Sequence, residues 1–367
     1  MGGFLLRPSI CTTNELFQLL GLYLRLTPTN QGTVTYGSSN QIRWFVNLVM
    51  QISYAFLILL IVVLAVAGRA SRPNPNSYSD LVSAASPVLD TIKGSFRNQI
   101  GILENNMPRA KSEGYLPPTN KEQADFAELV AVLSKSDSAH AVDLATGNDY
   151  TLNYYVDRGD DYAVSYLLRE QRPIQNGWGL YAFRVDSTSN IIIEAPHPLY
   201  DRRTPSVGLD IYRALDARAL LIAGAHRHAN RDGTADVAHA TKSIFQSIHV
   251  ALSQEVQTES GDVIILQIHG FHTTKHAGYP QVVFGLGKNA QTKGVALAQK
   301  IKNALSQQGI SAGLCMGTGS ELEDLCAKTN VQGSFTNEGA FMHIELDEKI
   351  RKDDKAFVTA LVQVFGK

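Results

Sequence analysis

Three apolar runs in this sequence each give out at a histidine. They are Ile191-Ile192-Ile193-Glu194-Ala195-Pro196-His197, Ala219-Leu220-Leu221-Ile222-Ala223-Gly224-Ala225-His226 and Val263-Ile264-Ile265-Leu266-Gln267-Ile268-His269. Each run has the length and apolar content of a buried strand. Such strands end at the rim of a sheet, so polar groups at their ends converge on one crevice, where open α/β sheets take ligands. Imidazoles and carboxylates gathered there could hold a metal ion or move protons.

Pro196 and Pro198 restrict the backbone on both sides of His197 and hold its imidazole in a narrow range of directions, which suits a metal ligand. Asp201 follows in the same turn and Glu194 precedes in the strand, so either carboxylate could join His197 on one ion. His269 ends a second buried strand. Two histidines and a carboxylate form a catalytic zinc (Zn2+) set with one position left for water. His272 and His276 follow closely and could compete as ligands or support them.

After the middle run comes His226-Arg227-His228-Ala229-Asn230-Arg231-Asp232-Gly233. The forks of Arg227 and Arg231 with the amide of Asn230 could grip a substrate carboxylate; the alternative is a solvated loop with surface ion pairs. Asp236, His239 and His249 fall on the helix expected next, as structural groups or as groups that support the ligands. Near the C-terminus, Phe341-Met342-His343-Ile344-Glu345-Leu346 alternates as a strand, placing His343 and Glu345 on one face. Burial would raise the Glu345 pKa toward the range useful for taking a proton from water. The alternative is an ion pair with Arg351.

The elements that must position these groups are legible in outline. Helices are expected over Leu81–Leu103, with Pro87 as a break, and over Glu122–Leu133. Val164–Glu170 and Trp178–Val185 read as a hairpin through Asn176-Gly177. Strands and helices then alternate: Ile191–Glu194, Ser206–Leu215, Ala219–Ala223, Val237–Ser253, Val263–Ile268, Gln281–Leu286, Val295–Gln307, Phe341–Leu346 and Asp354–Phe365. That order predicts an α/β three-layer sandwich around a central mixed sheet.

The 33 basic and 34 acidic residues nearly cancel, and no basic stripe is interleaved with aromatics, so nucleic acid is not an expected partner. Residues 44–68 carry no charge and are long enough to cross a bilayer, which takes ~20 residues. Small residues Ala65, Ala67 and Ala70 follow a pattern that signal peptidase accepts. A retained transmembrane helix and a cleaved signal both fit. Residues 1–43 read as a tail, 69–79 as a proline-rich linker, and 80–367 as one α/β domain. Cys315 and Cys326 could close a short disulfide loop if this part is exported, or stay separate thiols. No Gly-x-Ser-x-Gly elbow is present to suggest a metal-free esterase, and Gly317-Thr318-Gly319-Ser320 lacks the lysine of a phosphate loop.

Together these segments resemble the zinc-dependent amidohydrolases and carboxypeptidases of the N-formylglutamate amidohydrolase and poly-γ-glutamate hydrolase type. The likeness spans roughly Trp178 to Leu346 and rests on Pro196-His197, Asn230-Arg231, Ile268-His269 and Glu345-Leu346, in that order. Carboxypeptidases place the second ligand as His-x-x-Glu, whereas this chain reads His197-Pro198-Leu199-Tyr200-Asp201. Asp201 is preferred over Glu194 for that ligand because it lies in the same turn as His197.

The resemblance implies a secreted or membrane-anchored zinc hydrolase, its catalytic domain outside the cytoplasm, that cuts an amide bond in a small-molecule or peptide substrate near a free carboxylate. His197, Asp201 and His269 would hold zinc, whose charge lowers the pKa of water toward ~7. Glu345 would take the proton and pass it to the leaving amine, while Arg227, Asn230 and Arg231 hold the carboxylate. The competing expectation is a cell-surface domain that keeps this fold and binds an acidic ligand without catalysis.

Overall fold

The three apolar runs, joined by the late strand at Ala340–Leu346, lie side by side and parallel at the centre of a ten-stranded sheet. The computed structural model describes residues 89–287, 292–315, 319–336 and 339–366. The expected tail, apolar segment and linker (1–43, 44–68 and 69–79) lie outside the described residues. Among the described residues no helix is long and apolar enough to cross a membrane.

In chain order the strands are β1 (Thr91–Gly94), β2 (Tyr150–Asp157), β3 (Ala163–Glu170), β4 (Leu180–Arg184), β5 (Ile191–Ala195), β6 (Ala219–Ile222), β7 (Ile264–Gly270), β8 (Val282–Gly285), β9 (Ala312–Cys315) and β10 (Ala340–Leu346). They are arranged β1-β2-β3-β4-β6-β5-β7-β10-β8-β9. The helices are α1 (Phe96–Asn106), α2 (Asn120–Ser134), α3 (Ser138–Thr146), α4 (Thr204–Ala214), α5 (Ile244–Ser260), α6 (Thr292–Gln307), α7 (Val331–Phe335), α8 (Glu348–Lys352) and α9 (Lys355–Phe365).

Strand alternation sorts most of the core into two clusters, beside a smaller third one around Phe271, Val283 and Leu325. Ile193, Leu220, Leu266, Ile268, Met342 and Ile344 pack with residues of α1, α4, α6 and α9. Their neighbours Ile192, Leu221, Ile265 and Phe341 pack with α2, α3 and α5. Successive strand residues face opposite ways, so helices cover both faces of one mixed sheet.

Two expectations are corrected. Part of the helix expected over Leu81–Leu103 is strand β1, paired parallel with β2. The helix begins only at Phe96, whose N–H donates to Asp157 Oδ1 at 3.2 Å. The helix expected from Val237 begins at Ile244 and reaches Ser260. Ser243 sets that start, its side chain accepting the Gln246 N–H, and left-handed Gly261 ends the helix. The hairpin of β3 and β4 forms as the turn residues predict, whereas β2, α3 and β9 had no clear signal.

Candidate metal centre

Chain order reverses between β5 and β7: β6 lies beyond β5 on one side, and β10 lies beyond β7 on the other. Such a switch point opens a crevice at the carboxyl ends of the strands. His197 follows β5 there, and His269 stands near the end of β7. Asp201 is carried back by a tight turn in which its N–H donates to the His197 carbonyl at 2.8 Å.

The three side chains converge and are almost fully buried. Asp201 Oδ2 lies 3.3 Å from His197 Nδ1 and 3.2 Å from His269 Nδ1. Zinc held tetrahedrally by N and O ligands at about 2.0–2.1 Å sets ligand atoms about 3.3–3.4 Å apart, and the two spacings here match that. His197 Nε2 donates to Asp236 Oδ1 at 2.8 Å, which leaves Nδ1 as the lone-pair nitrogen of the neutral ring. That lone pair faces both Arg227 Nη1 at 3.4 Å and the Asp201 carboxylate oxygen at 3.3 Å, and between nitrogen and carboxylate oxygen a proton or a cation belongs.

The electrostatics agree. Burial alone would lower the His197 pKa, but its hydrogen bonds to Asp201 and Asp236 outweigh this and raise it above the usual imidazole value. Burial likewise pushes Asp201 up, and its bonds to His197 and His269 overcome that and hold it well below the carboxylate range. His269 is pulled down to about 4, mainly by burial. Neutral His269 and ionised Asp201 are the forms that bind metals.

Two other groups among the described residues are close enough to share an ion: His197 with Asp236 and His239, and His269 with His343 and Glu345. In the first, Arg227 Nη2 already meets Asp236 Oδ2 at 2.5 Å and supplies the positive charge. In the second, the His269 and His343 rings stack at 3.9 Å and 26°. Ring lone pairs lie in the ring plane, so near-parallel rings do not aim at one point. The His197, Asp201 and His269 set fits a cation best.

Glu194, the alternative second ligand, is fully buried elsewhere. It meets His249 Nδ1 at 2.7 Å and accepts from Gln267 Nε2 at 2.8 Å. Glu345 reaches the centre from β10, and burial, reinforced by Asp201, raises its pKa well above the ordinary value. Its Oε2 and His343 Nδ1 have no hydrogen-bond partner among the described residues. The alternative, an ion pair between Glu345 and Arg351, does not form. Arg351 instead donates to the carbonyls of Leu346, Arg202 and Phe271, tying the ends of β10 and β7 to the turn after His197. Gly270 makes room for it, since a Cβ there would lie 2.5 Å from Arg351 Nε.

The expected carboxylate grip is brought together only in part. Arg227 lines the cavity over the centre, under the ring of Tyr200. Asn230 does not reach the cavity: its amide is spent on the backbone of Tyr115, donating at 2.7 Å and accepting at 3.2 Å. Arg231 points to solvent, with its side chain 84% exposed beside Glu113. Asp236 and His239 belong to the site, although the sequence pattern put them on a helix. They lie in the turn before α5, and the Asp-x-x-His spacing beside a polar strand end was their only signal.

The cavity holds about 480 Å3 and is walled by Tyr200, Arg227, His239, His272, Lys275, His276 and the segment from Glu323 to Asn330. A disulfide joins Cys326 in that segment to Cys315 at the end of β9. Among the described residues, three Lys and Arg side chains line the cavity: Lys328, paired with Glu323, Arg227, held by Asp236, and Lys275.

No protein-family model matches the chain, and no curated protein does. Solved structures similar to it include an N-formylglutamate amidohydrolase from Ralstonia eutropha JMP134, at 11% identity over 50% of this chain and 93% of that one, with a TM-score of 0.33. A bacteriophage poly-γ-glutamate hydrolase is 12% identical over 50% of this chain and 84% of its own, also at 0.33. A metallo-carboxypeptidase from Burkholderia cenocepacia is 11% identical over 60% of this chain and 67% of its own, at 0.32. Similarity at that level leaves the reaction to be argued from the side chains.

Proposed function

We propose that this chain is a metal-dependent hydrolase, with zinc as the ion, that cleaves an amide bond in a small-molecule or peptide substrate near a free carboxylate. The observation that carries the reading is the convergence of His197 Nδ1 and His269 Nδ1 on Asp201 Oδ2 beside the Glu345 carboxyl, whose Oε1 lies 3.7 Å from His343 Nε2 and whose Oε2 has no hydrogen-bond partner among the described residues.

A divalent ion held by His197, Asp201 and His269 would supply Lewis acidity, making water a stronger acid and polarising a carbonyl. Positive charge next to Glu345 opposes the effect of burial and brings the carboxyl back toward a proton-accepting state. Glu345 then takes the proton of the attacking water and delivers it to the leaving nitrogen. Its position favours this, because one of its oxygens lies within 4.8 Å of a ligating-type nitrogen of His269.

Arg227 and Lys275 supply the positive charge that would hold the substrate carboxylate, and Asn230 and Arg231 are not needed for it. The apolar segment at 44–68 supports a membrane-anchored or secreted chain with this domain outside the cytoplasm. The Cys315–Cys326 disulfide supports the same location, since such bonds persist in oxidising compartments.

The test is hydrolysis of N-acyl amino acids and short peptides, each compared with its carboxamide analogue. The free acids should turn over faster by about tenfold or more, a chelator should stop turnover, and zinc should restore it. Turnover that persists in excess chelator would contradict the reading.

A further inference from the structure

Below the metal centre lies a chain of buried amides that its chemistry does not use directly. Gln267 stands two residues before His269 on β7, on the same sheet face, and is completely buried. Four groups surround its amide: Glu194 Oε2 at 2.8 Å, Gln332 Oε1 at 3.2 Å, Asn330 Nδ2 at 2.6 Å and His269 Nε2 at 2.9 Å.

Amide orientation is normally ambiguous, but here backbone groups settle it. Gln332 Nε2 donates to the Val237 carbonyl at 2.9 Å, and a carbonyl only accepts, so Gln332 turns its oxygen to Gln267. Asn330 Oδ1 accepts the Gly333 N–H at 3.0 Å, so Asn330 turns its nitrogen to Gln267. Gln267 must therefore give Nε2 to Gln332 and to Glu194, and present Oε1 to Asn330 and His269. An amide oxygen cannot donate. The ring proton of His269 is thus on Nε2, and the bare nitrogen is Nδ1, the one facing Asp201.

We infer that Gln267 is a positioning residue: held by Gln332, Asn330 and Glu194, it fixes His269 in the Nε2–H tautomer and so delivers Nδ1 to the ion. This rests on the reading of His269 as a metal ligand. Asp236 does the same for His197 from the opposite side, with a carboxylate in place of an amide. The two ligands are thus oriented by different chemistry, and only the His269 side depends on an amide network reaching Val237 and Gly333.

The experiment uses the full chain in mild detergent. Ring-nitrogen NMR of the metal-free protein reads the His269 tautomer, and competition with a chromogenic chelator reads zinc affinity. Both are measured for wild type, Gln267→Met, Gln267→Glu and His269→Ala. Wild type should show His269 protonated on Nε2. Gln267→Met should lose that tautomer and bind zinc about 10- to 100-fold more weakly. Gln267→Glu keeps an oxygen facing the ring and, with one proton shared between it and Glu194 in place of the lost amide donor, should retain the Nε2–H tautomer and recover part of the affinity. An Nδ1–H tautomer in wild type overturns the inference, and that result does not depend on any variant folding. Wild-type zinc affinity in Gln267→Met also overturns it, provided His269→Ala has lost zinc. Zinc retained by His269→Ala instead overturns the ligand assignment beneath it.

Discussion

Glu345 on β10 and His269 on β7 are register partners on adjacent parallel strands, and both point to the face that carries Gln267 and His343. Backbone pairing thus places a carboxyl beside a candidate ligand, with no loop involved in the alignment. Sites built on strands hold their geometry more tightly than sites built on loops.

Glu345→Gln should therefore lower kcat by about 10²–10⁴-fold while leaving metal content unchanged. The same change should stabilise the metal-free protein at neutral and alkaline pH. Burial raises the Glu345 pKa in the folded state, so the folded chain binds more protons there than the unfolded one. Stability is then lost as pH rises from the unfolded value through the folded one, by about 1.4 kcal/mol per pH unit in that window. Glutamine has no such titration. Thermal unfolding at pH 5 and pH 8 checks this: the variant should gain on wild type only at the higher pH.

Metal binding should release protons. His197 carries a raised pKa because its hydrogen bonds to Asp201 and Asp236 outweigh burial, so at pH 6, below even the ordinary imidazole value, the metal-free site holds a proton that an ion must displace. Zinc affinity should fall with decreasing pH, by up to about tenfold per unit below the raised value. Calorimetry in buffers of different ionisation enthalpy measures the release. Proton-neutral binding at pH 6 would count against the His197 assignment.

Asn230→Ala should act on stability and leave substrate affinity alone. It removes a buried amide that both donates to and accepts from the Tyr115 backbone, a loss of about 1–3 kcal/mol. Arg231→Ala, at an exposed side chain, should change stability by less than about 0.5 kcal/mol and leave KM in place. Arg227→Ala should raise KM for substrates with a free carboxylate. Denaturant titration and steady-state kinetics on the three variants separate these roles.

The strand ends were legible because a triple-isoleucine run and a Val-Ile-Ile-Leu run have no helical period and stop at polar groups. The same pattern gave His197 and His269, and alternation gave Glu345. Asn230 misled because its partner, Tyr115, lies far away in sequence. A polar cluster looks the same whether it serves a ligand or ties down another segment. Asp236 and His239 were hidden by the apolar spacing from Val237, which mimics a helix until the Ser243 cap is seen. The short β1 gains its identity from pairing with β2, which no local signal announces. Gln267 read as one polar residue in a buried strand. Its meaning comes from Gln332 and Asn330, brought to it by the return of the chain through α7.

Metal analysis of the purified full chain tests the central claim most directly. Wild type should carry about one zinc per chain, and His197→Ala and His269→Ala should each carry almost none while still unfolding cooperatively. A wild-type chain that takes up no divalent metal, or a His269→Ala variant that keeps its full share, would contradict the account.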